Sequence, residues 1–233
     1  IDANLPAAQT NFKGVDNRQR WTSNRINSNV ANATVIKNQN IGYNWGFAAT
    51  IEKPFSNGLF YKIGYNYGEA RNTIDPGSIA RGSWTNNAMS GDPNNPGVSF
   101  SSTTPGNRFF AALSYRFDYF KFGSTTISFM WDYYTPGFSS YIYSGDLNGD
   151  GGSFNDLIYI PRNKTEMNFQ QYTSSGVTFT PEQQAAAWDA YIKQDAYLND
   201  NRGKYAERNA VALPMISRVD LSFIQEVYSD FLG

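Results

Sequence analysis

Ile41-Gly42-Tyr43-Asn44-Trp45-Gly46-Phe47-Ala48-Ala49-Thr50-Ile51-Glu52 alternates from end to end. Ile41, Tyr43, Trp45, Phe47, Ala49 and Ile51 fall on one side, and Gly42, Asn44, Gly46, Ala48, Thr50 and Glu52 on the other. A period of two sends successive side chains to opposite faces of a strand. The next run repeats the pattern, with Leu59, Tyr61, Ile63, Tyr65 and Tyr67 set against Phe60, Lys62, Gly64, Asn66 and Gly68. Strands of soluble sandwiches last about 5–6 residues. These last about 10 or more, the length a tilted strand needs to cross a bilayer. One face is apolar and rich in Tyr and Trp; the other is small, polar and charged. The pattern predicts an all-β fold, the wall of an antiparallel transmembrane β-barrel with lipid outside and water inside.

Working outward, wall strands are expected at about residues 42–54, 59–71, 108–119, 124–134 and 215–228. Parity constrains the first turn. The apolar residues are odd-numbered on both flanking strands, so paired residues must sum to an even number. A three-residue loop at Ser56-Asn57-Gly58 pairs Phe55 with Leu59, satisfies this, and puts Gly58 in the left-handed position. A second short turn is expected near Lys121-Phe122-Gly123. Residues 72–107 and 135–213 leave the strand pattern, and the first of these holds Asp75-Pro76-Gly77, Gly91-Asp92-Pro93 and Asn95-Pro96-Gly97. Tight turns at one end and long loops at the other are the asymmetry of outer-membrane barrels, which makes the two long segments extracellular. Residues 1–29 read as loop, and Val30 to Lys37 as a short strand. Thr180-Pro181-Glu182-Gln183 opens a helix, with Thr as N-cap and Gln three residues on. That helix is expected to run to Leu198, with Trp188, Tyr191 and Leu198 on one side, packed on its own loop or docking a partner or ligand.

The alternation assigns Tyr43, Trp45, Phe47, Tyr65, Tyr67, Tyr115, Phe129 and Trp131 to lipid. It assigns Lys62, Asn66, Arg116, Asp132, Arg218 and Asp220 to the lumen, where they either steer a solute or are simply tolerated by water. Composition narrows the chemistry further. The chain of 233 residues has a net charge of −1, which leaves no basic face for nucleic acid. It has no Cys and no His, so disulfides, thiol chemistry and His-based acid–base or nucleophilic catalysis are excluded from it. No stretch approaches 18 apolar residues, so no spanning helix is expected. The stretch that starts at Ile1 has no charged n-region or apolar h-region, so no signal peptide is expected within the sequence, as fits a mature or truncated chain.

Asp146-Leu147-Asn148-Gly149-Asp150-Gly151 matches the opening of an EF-hand-type loop, with oxygens at positions 1, 3 and 5 and Gly at 6. Leu157 stands where the closing Glu belongs, and Asp156 is the nearest substitute. The metal-ligand candidates are therefore Asp146, Asn148, Asp150 and Asp156, with Ca²⁺ the one cofactor considered. The alternative is a turn whose Asp and Asn side chains cap their own backbone. Asp189 and Asp195 are too far apart on a helix to form a glycosidase pair, and no phosphate loop or nucleophile elbow is present. The chain is not expected to be an enzyme.

Tyr143-Ser144-Gly145-Asp146-Leu147-Asn148-Gly149-Asp150-Gly151, followed by Asn155-Asp156-Leu157-Ile158-Tyr159-Ile160-Pro161, resembles the C-terminal barrel region of TonB-dependent outer-membrane receptors of the Oar/SusC-like type, common in Bacteroidetes. Asn24 to Asn29, Lys53 to Leu59 and Tyr205 to Asn209 carry the same likeness. The resemblance implies a barrel of about 22 strands around an N-terminal plug, in the bacterial outer membrane, multi-pass. On it, residues 1–233 form a partial barrel domain, with the plug and the barrel C-terminus outside the sequence. It implies uptake of a nutrient (glycan, peptide or metal complex), energised by TonB through an N-terminal segment, with a surface lipoprotein as a further partner. The alternative role is a scaffold or a secretion or surface-assembly partner; a soluble sandwich fails on strand length. Trp84, Tyr141, Tyr172, Trp188 and Tyr191 are the loop aromatics expected to meet a ligand or partner, because binding residues concentrate on long loops.

Overall fold

The computed structural model describes residues 1–119 and 123–228. The turn residues Lys121 and Phe122, and the terminal Asp230-Phe231-Leu232-Gly233, lie outside them. The chain divides into two compact units. One holds Tyr43–Arg71, Ser102–Phe138 and Ala212–Gly233; the other holds Ile1–Gly42, Asn72–Ser101 and Ser139–Val211.

The first unit is built from five long strands: β1 (Tyr43–Ser56), β2 (Leu59–Asn72), β3 (Gly106–Tyr119), β4 (Gly123–Tyr134) and β5 (Ile216–Val227). They lie side by side in chain order, each antiparallel to the next. The sheet is open, since β1 and β5 form its two ends and do not pair with each other among the described residues. The fold is thus mostly antiparallel β-sheet with few helices, and no described helix is long and apolar enough to cross a membrane.

Register carries the odd-numbered residues straight across the sheet. One row reads Ile51, Ile63, Ala111, Trp131 and Val219, and the next reads Lys53, Tyr61, Leu113, Phe129 and Leu221. On the far side of the Ile51 row comes Ala49, Tyr65, Phe109, Tyr133 and Ser217. Rings on this face touch: Trp131 and Tyr133 are 5.8 Å apart along β4, while across strands Tyr65 and Phe109 lie 4.5 Å apart and Trp45 and Tyr67 5.4 Å edge to face. Such cross-strand aromatic pairs each add about 0.2–1 kcal/mol. Lys53 is the one cation in this set, and its Nζ turns to the Ser56 and Leu59 carbonyls at 3.0 and 3.1 Å.

The even-numbered face is largely polar and self-paired, with Phe110, Met130 and Ile224 among its apolar members. Lys62 meets Glu52 at 2.9 Å across β1 and β2. Arg108 grips Asp132 with two bonds of 2.8 and 2.9 Å. Arg116 reaches Asp118 and Glu226, and Arg218 reaches Asp220. Ser114 donates to Ser128 at 2.8 Å.

The first turn differs from the expected three-residue loop. Ser56 pairs with Leu59, so the loop is the two-residue Asn57-Gly58, with φ of 53° and 75°. Two successive left-handed residues make the type I′ turn that Asn-Gly favours. Parity survives because the register shifts between Lys53 and Ser56: a bulge absorbs one residue, and Lys53 again faces Tyr61. Even sums hold along the rest of the ladder, as the alternation requires. Val30 to Lys37 is not a strand; it carries only an isolated bridge from Thr34 to Asp2, the neighbouring bonds being Ala3 N–H to Ala33 and Val35 N–H to Ile1.

Gly58 shows what the turn needs. A Cβ there would sit 2.1 Å from the Arg116 carbonyl oxygen, and that carbonyl belongs to a paired strand. Gly58→Ala should cost more than the ~1 kcal/mol of a left-handed alanine, read as a lower denaturant midpoint. A loss under about 0.3 kcal/mol would contradict this close approach.

Candidate functional site

The second unit condenses around the stretch Asn155-Asp156-Leu157-Ile158-Tyr159-Ile160. Leu157, Ile158 and Ile160 are buried together with Ile192, Leu198 and Ala206. Their backbones bridge outward on both sides: Met89 N–H donates to Asn155, Tyr143 N–H to Asp156, Ile158 N–H to Tyr141 and Ala206 N–H to Ile158. Ile192 and Leu198 arrive on two helices, α2 (Pro181–Gln194) and α3 (Ala196–Asp200), preceded in the chain by α1 (Ala80–Thr85). Helix α2 opens with the capping box expected from Thr180 and Gln183. It does not continue to Leu198. Asp195 leaves the helical conformation and accepts from Leu198 N–H at 2.8 Å, so it ends α2 and caps α3.

A groove of about 940 Å³ opens beside this core. Trp188 and Tyr191 line it, with ring centroids 5.4 Å apart and planes within 9°. Phe169, Met167 and Ile158 add apolar wall, while Asp16, Glu166 and Gln184 bring polar groups. Glu166 is held by Arg162 N–H at 2.8 Å, the Arg162 guanidinium at 3.0 Å and the Tyr159 hydroxyl at 3.2 Å. The Arg162 backbone bond is the largest influence that keeps its carboxyl below the usual range. Aromatic plates with a few fixed polar groups are what a concave small-molecule site presents.

The expected loop aromatics divide. Trp188, Tyr191 and Tyr141 come together: the Tyr141 hydroxyl lies 3.3 Å from that of Tyr191 and donates to Asp195. Burial, and then that bond to Asp195, push the Tyr141 phenol far above its ordinary range. Tyr172 sits apart and half exposed, stacked on Phe179 at 5.0 Å in a small hairpin of Tyr172–Ser174 and Val177–Phe179. Trp84 is not a surface aromatic. It is 3% exposed on α1, packed with Leu5 and Trp21, with its indole N–H on Asn94 and the Arg81 guanidinium 4.4 Å from the ring centroid.

The Asp146–Asp156 loop is folded in on itself. Asp146 accepts from Gly149 and Gly151 N–H at 2.8 and 2.9 Å, Asn148 from Asp150 N–H at 2.9 Å, and Asp150 from Gly152 N–H at 2.7 Å. Asp156 accepts from Leu147 and Asn148 N–H. These are the self-capping turns that short polar side chains favour. Among the described residues no three acidic side chains gather as a group able to hold a metal ion. Burial nevertheless pushes the Asp150 carboxyl up to about 6, opposed by Gly152 N–H and the Asn148 amide. Asp156 is also raised, because its desolvation outweighs the bond from Leu147 N–H and the charge of Arg18. Gly149 has φ of +82°, and a Cβ there would stand 2.2 Å from the Trp21 carbonyl oxygen.

Arg18 is the residue that sequence reasoning missed. Its side chain is fully buried between the rings of Tyr143 and Tyr205, 5.3 and 5.2 Å from their centroids. It bonds Asp16 at 3.0 and 3.2 Å, Asp156 at 3.3 Å and the Leu157 carbonyl at 2.7 Å. Burial, with a bond to Asp16, pushes the adjacent Tyr205 hydroxyl up to about 12. Arg208 has a similar place, buried and donating to the carbonyls of Asn72, Thr73 and Phe100 and to the Asn87 side chain. Neither has a local sequence signal, since the partners of Arg18 at Asp156 and Leu157 lie 138 and 139 residues away.

No protein-family model, curated protein or solved structure matches this chain.

Removing Arg18 strands the buried Asp156 carboxylate. Arg18→Met should therefore cost about 3–5 kcal/mol, measured by thermal unfolding, and should expose residues 139–211 to limited proteolysis. A loss below about 1 kcal/mol would mean the network is not a structural centre.

Proposed function

We propose that this chain is part of the wall and outer vestibule of a TonB-dependent outer-membrane transporter that imports a nutrient. The observation that carries the reading is an apolar band exposed on one face of the sheet. Phe47 is 57% exposed, Leu221 65% and Phe223 70%. Rows two residues apart are about 6.7 Å apart along a strand. The five rows from Phe47–Tyr67 to Leu59–Tyr115–Ile127–Phe223 therefore make a band about 27 Å long along the strands, or about 19–22 Å tall at the 35–45° tilt of barrel strands. An outer-membrane wall presents roughly 25 Å of apolar surface. Four inter-strand spacings of about 4.8 Å give it some 19 Å of width, or about 500 Å² in flat projection before side-chain relief. The largest apolar patch on a soluble monomer is about 300–600 Å² of full accessible surface.

Tyrosines stand at both margins of the band, as interfacial girdles do. Tyr43, Tyr65 and Tyr67 lie at one end and Tyr61, Tyr115 and Tyr119 at the other. Their hydroxyls find polar partners, Tyr65 on Asn107 at 2.8 Å and Tyr43 on Glu69 at 3.3 Å. The paired Lys, Arg, Asp and Glu of the even face suit a water-filled interior, and the resemblance of the Asp146–Pro161 stretch to TonB-dependent receptors supplies the transport class. Binding specificity then belongs to the groove at Trp188 and Tyr191, with energy delivered through a plug and TonB. No covalent chemistry is required of the chain, since passage needs only binding and gating.

Ile63 is in the middle row and Ser222 on the polar face. In phospholipid vesicles Ile63→Arg should cost about 2–4 kcal/mol, and Ser222→Arg should stay within about 0.5 kcal/mol. Equal costs would contradict a lipid-facing band. In cells making the whole receptor, replacing Trp188 and Tyr191 together by Ala should reduce substrate uptake at least tenfold while the amount of folded barrel stays constant. Unchanged uptake would remove the groove from the transport path.

A further inference from the structure

We infer that the depression lined by Arg162, Lys164, Lys193 and Arg202 is a binding site for a phosphate group. It has a volume of about 470 Å³, and these four cations share its wall with one carboxylate, Asp189. The chain as a whole carries a net charge of −1, so the excess is local. Asp189 does not balance it. Its two oxygens are divided between the Lys193 ammonium at 2.9 Å and the Arg202 guanidinium at 3.0 Å. The bond from Lys193, with Arg202 behind it, keeps the Asp189 carboxyl below its usual range, so it is already charged at neutral pH. Arg162 is matched by Glu166 at 3.0 Å, and the Lys164 ammonium has no partner among the described residues. With Glu166 counted, four cations face two carboxylates, which leaves a surplus of two positive charges.

The fold holds these like charges together. Arg202 has a side chain only 18% exposed, and its guanidinium donates to the Pro161 and Arg162 carbonyls at 3.1 and 3.2 Å. That draws it against the segment carrying Arg162 and Lys164. Gly203, next in the chain, has φ of +80°, and a Cβ there would stand 2.7 Å from Arg162 Nε. The space a side chain would fill is thus taken by Arg162. Helix α2 adds Lys193 one turn after Asp189. Exposed ion pairs offset little of the repulsion among cations so confined. A bound anion relieves it, and a concave wall of one sign focuses its field there. The planar Arg fork matches paired oxygens of phosphate or carboxylate. The surplus of two selects between them, because a phosphate monoester carries about −1.5 to −2 at pH 7 and a carboxylate only one charge. Donors remain for it, since Lys164 is unpaired and Arg162 and Lys193 each bond one carboxylate. The groove at Trp188 and Tyr191 differs, with Asp16 and Glu166 but no cation in its lining.

The test is isothermal calorimetry of the whole chain in a neutral detergent, titrated with inorganic phosphate at low ionic strength, where charges are least screened. The expected result is one saturable site with a Kd of about 1 mM or tighter, and acetate binding at least tenfold more weakly. Lys164→Gln combined with Lys193→Gln should weaken phosphate binding at least tenfold, whereas Lys37→Gln in the same unit should leave it unchanged. All three lysines are exposed, so the melting temperature should hold in every variant. No saturable binding up to about 20 mM phosphate, wild-type affinity in the double variant, or equal affinity for acetate overturns the site. Competition by dihexanoyl phosphatidic acid, with dihexanoyl phosphatidylcholine as the control for detergent partitioning, separates the sources of the group. Binding tighter than inorganic phosphate assigns a lipid headgroup, binding no tighter assigns a soluble phosphate, and both uphold the phosphate site. The readout needs no transport, so its failure leaves the uptake proposal standing.

Discussion

A long antiparallel meander satisfies its backbone along every inner edge, but not its two outer edges or its side chains. Five strands of 12 to 14 residues exhaust each other's N–H and C=O groups along every shared edge. That saturation is the condition for strands to enter a hydrocarbon layer, where an unpaired peptide group costs several kcal/mol. It also forces each residue onto one of two faces. Every row that contains Ile63, Trp131 or Phe129 must therefore find an apolar medium, and every row that contains Lys62, Asp132 or Arg218 must find water or a countercharge. The bulge before Asn57-Gly58 serves the same constraint, because without it the tightest turn would have set the two faces against each other.

The second unit solves a different problem. Its stretches Ile1–Gly42, Asn72–Ser101 and Ser139–Val211 are far apart in sequence and short of regular structure. A small core of Leu157, Ile158, Ile160, Ile192, Leu198 and Ala206 is not enough to order the rest. Buried polar side chains take over much of the work. Arg18 ties Asp16 to Asp156 and the Leu157 carbonyl, while Arg208 gathers carbonyls of Asn72, Thr73 and Phe100. Such networks specify one arrangement because each missing partner leaves an expensive unsatisfied group. The groove beside Trp188 and Tyr191 is shaped by side chains from this same framework, including Asp16 and Tyr143.

Much of the sheet was legible in the sequence because alternation does not depend on distant partners. Ile41 to Glu52 states its two faces by itself, and parity alone predicted even-sum pairing of β1 with β2. The turn type was not legible, since a two-residue turn plus a bulge and a three-residue loop satisfy the same parity. The break at Asp195 was hidden because Asp is tolerated in a helix, and only its bond to Leu198 N–H turns it into a cap. Trp84 read as a surface aromatic because nothing local announces that Leu5 and Trp21 cover it. Arg18 and Arg208 were illegible for a more general reason: Arg is normally exposed, and their partners come from remote stretches. In the Asp146–Asp156 loop the motif was visible, but its partners were not. Asp156 turned out to be bound to Arg18, and Asn155, adjoining an apolar run, holds a buried oxygen without a partner among the described residues.

The central claim is that the odd-numbered face of the sheet lies against lipid. The most direct measurement is quenching of tryptophan fluorescence by brominated phospholipids in reconstituted vesicles. Trp45 and Trp131 are on that face, whereas Trp21 and Trp84 are buried in the other unit. The account predicts that bromines on the acyl chains quench the wild-type emission strongly and that replacing Trp45 and Trp131 by Phe removes most of that quenching. Emission from Trp45 and Trp131 that is indifferent to brominated chains and quenched by aqueous iodide would contradict it.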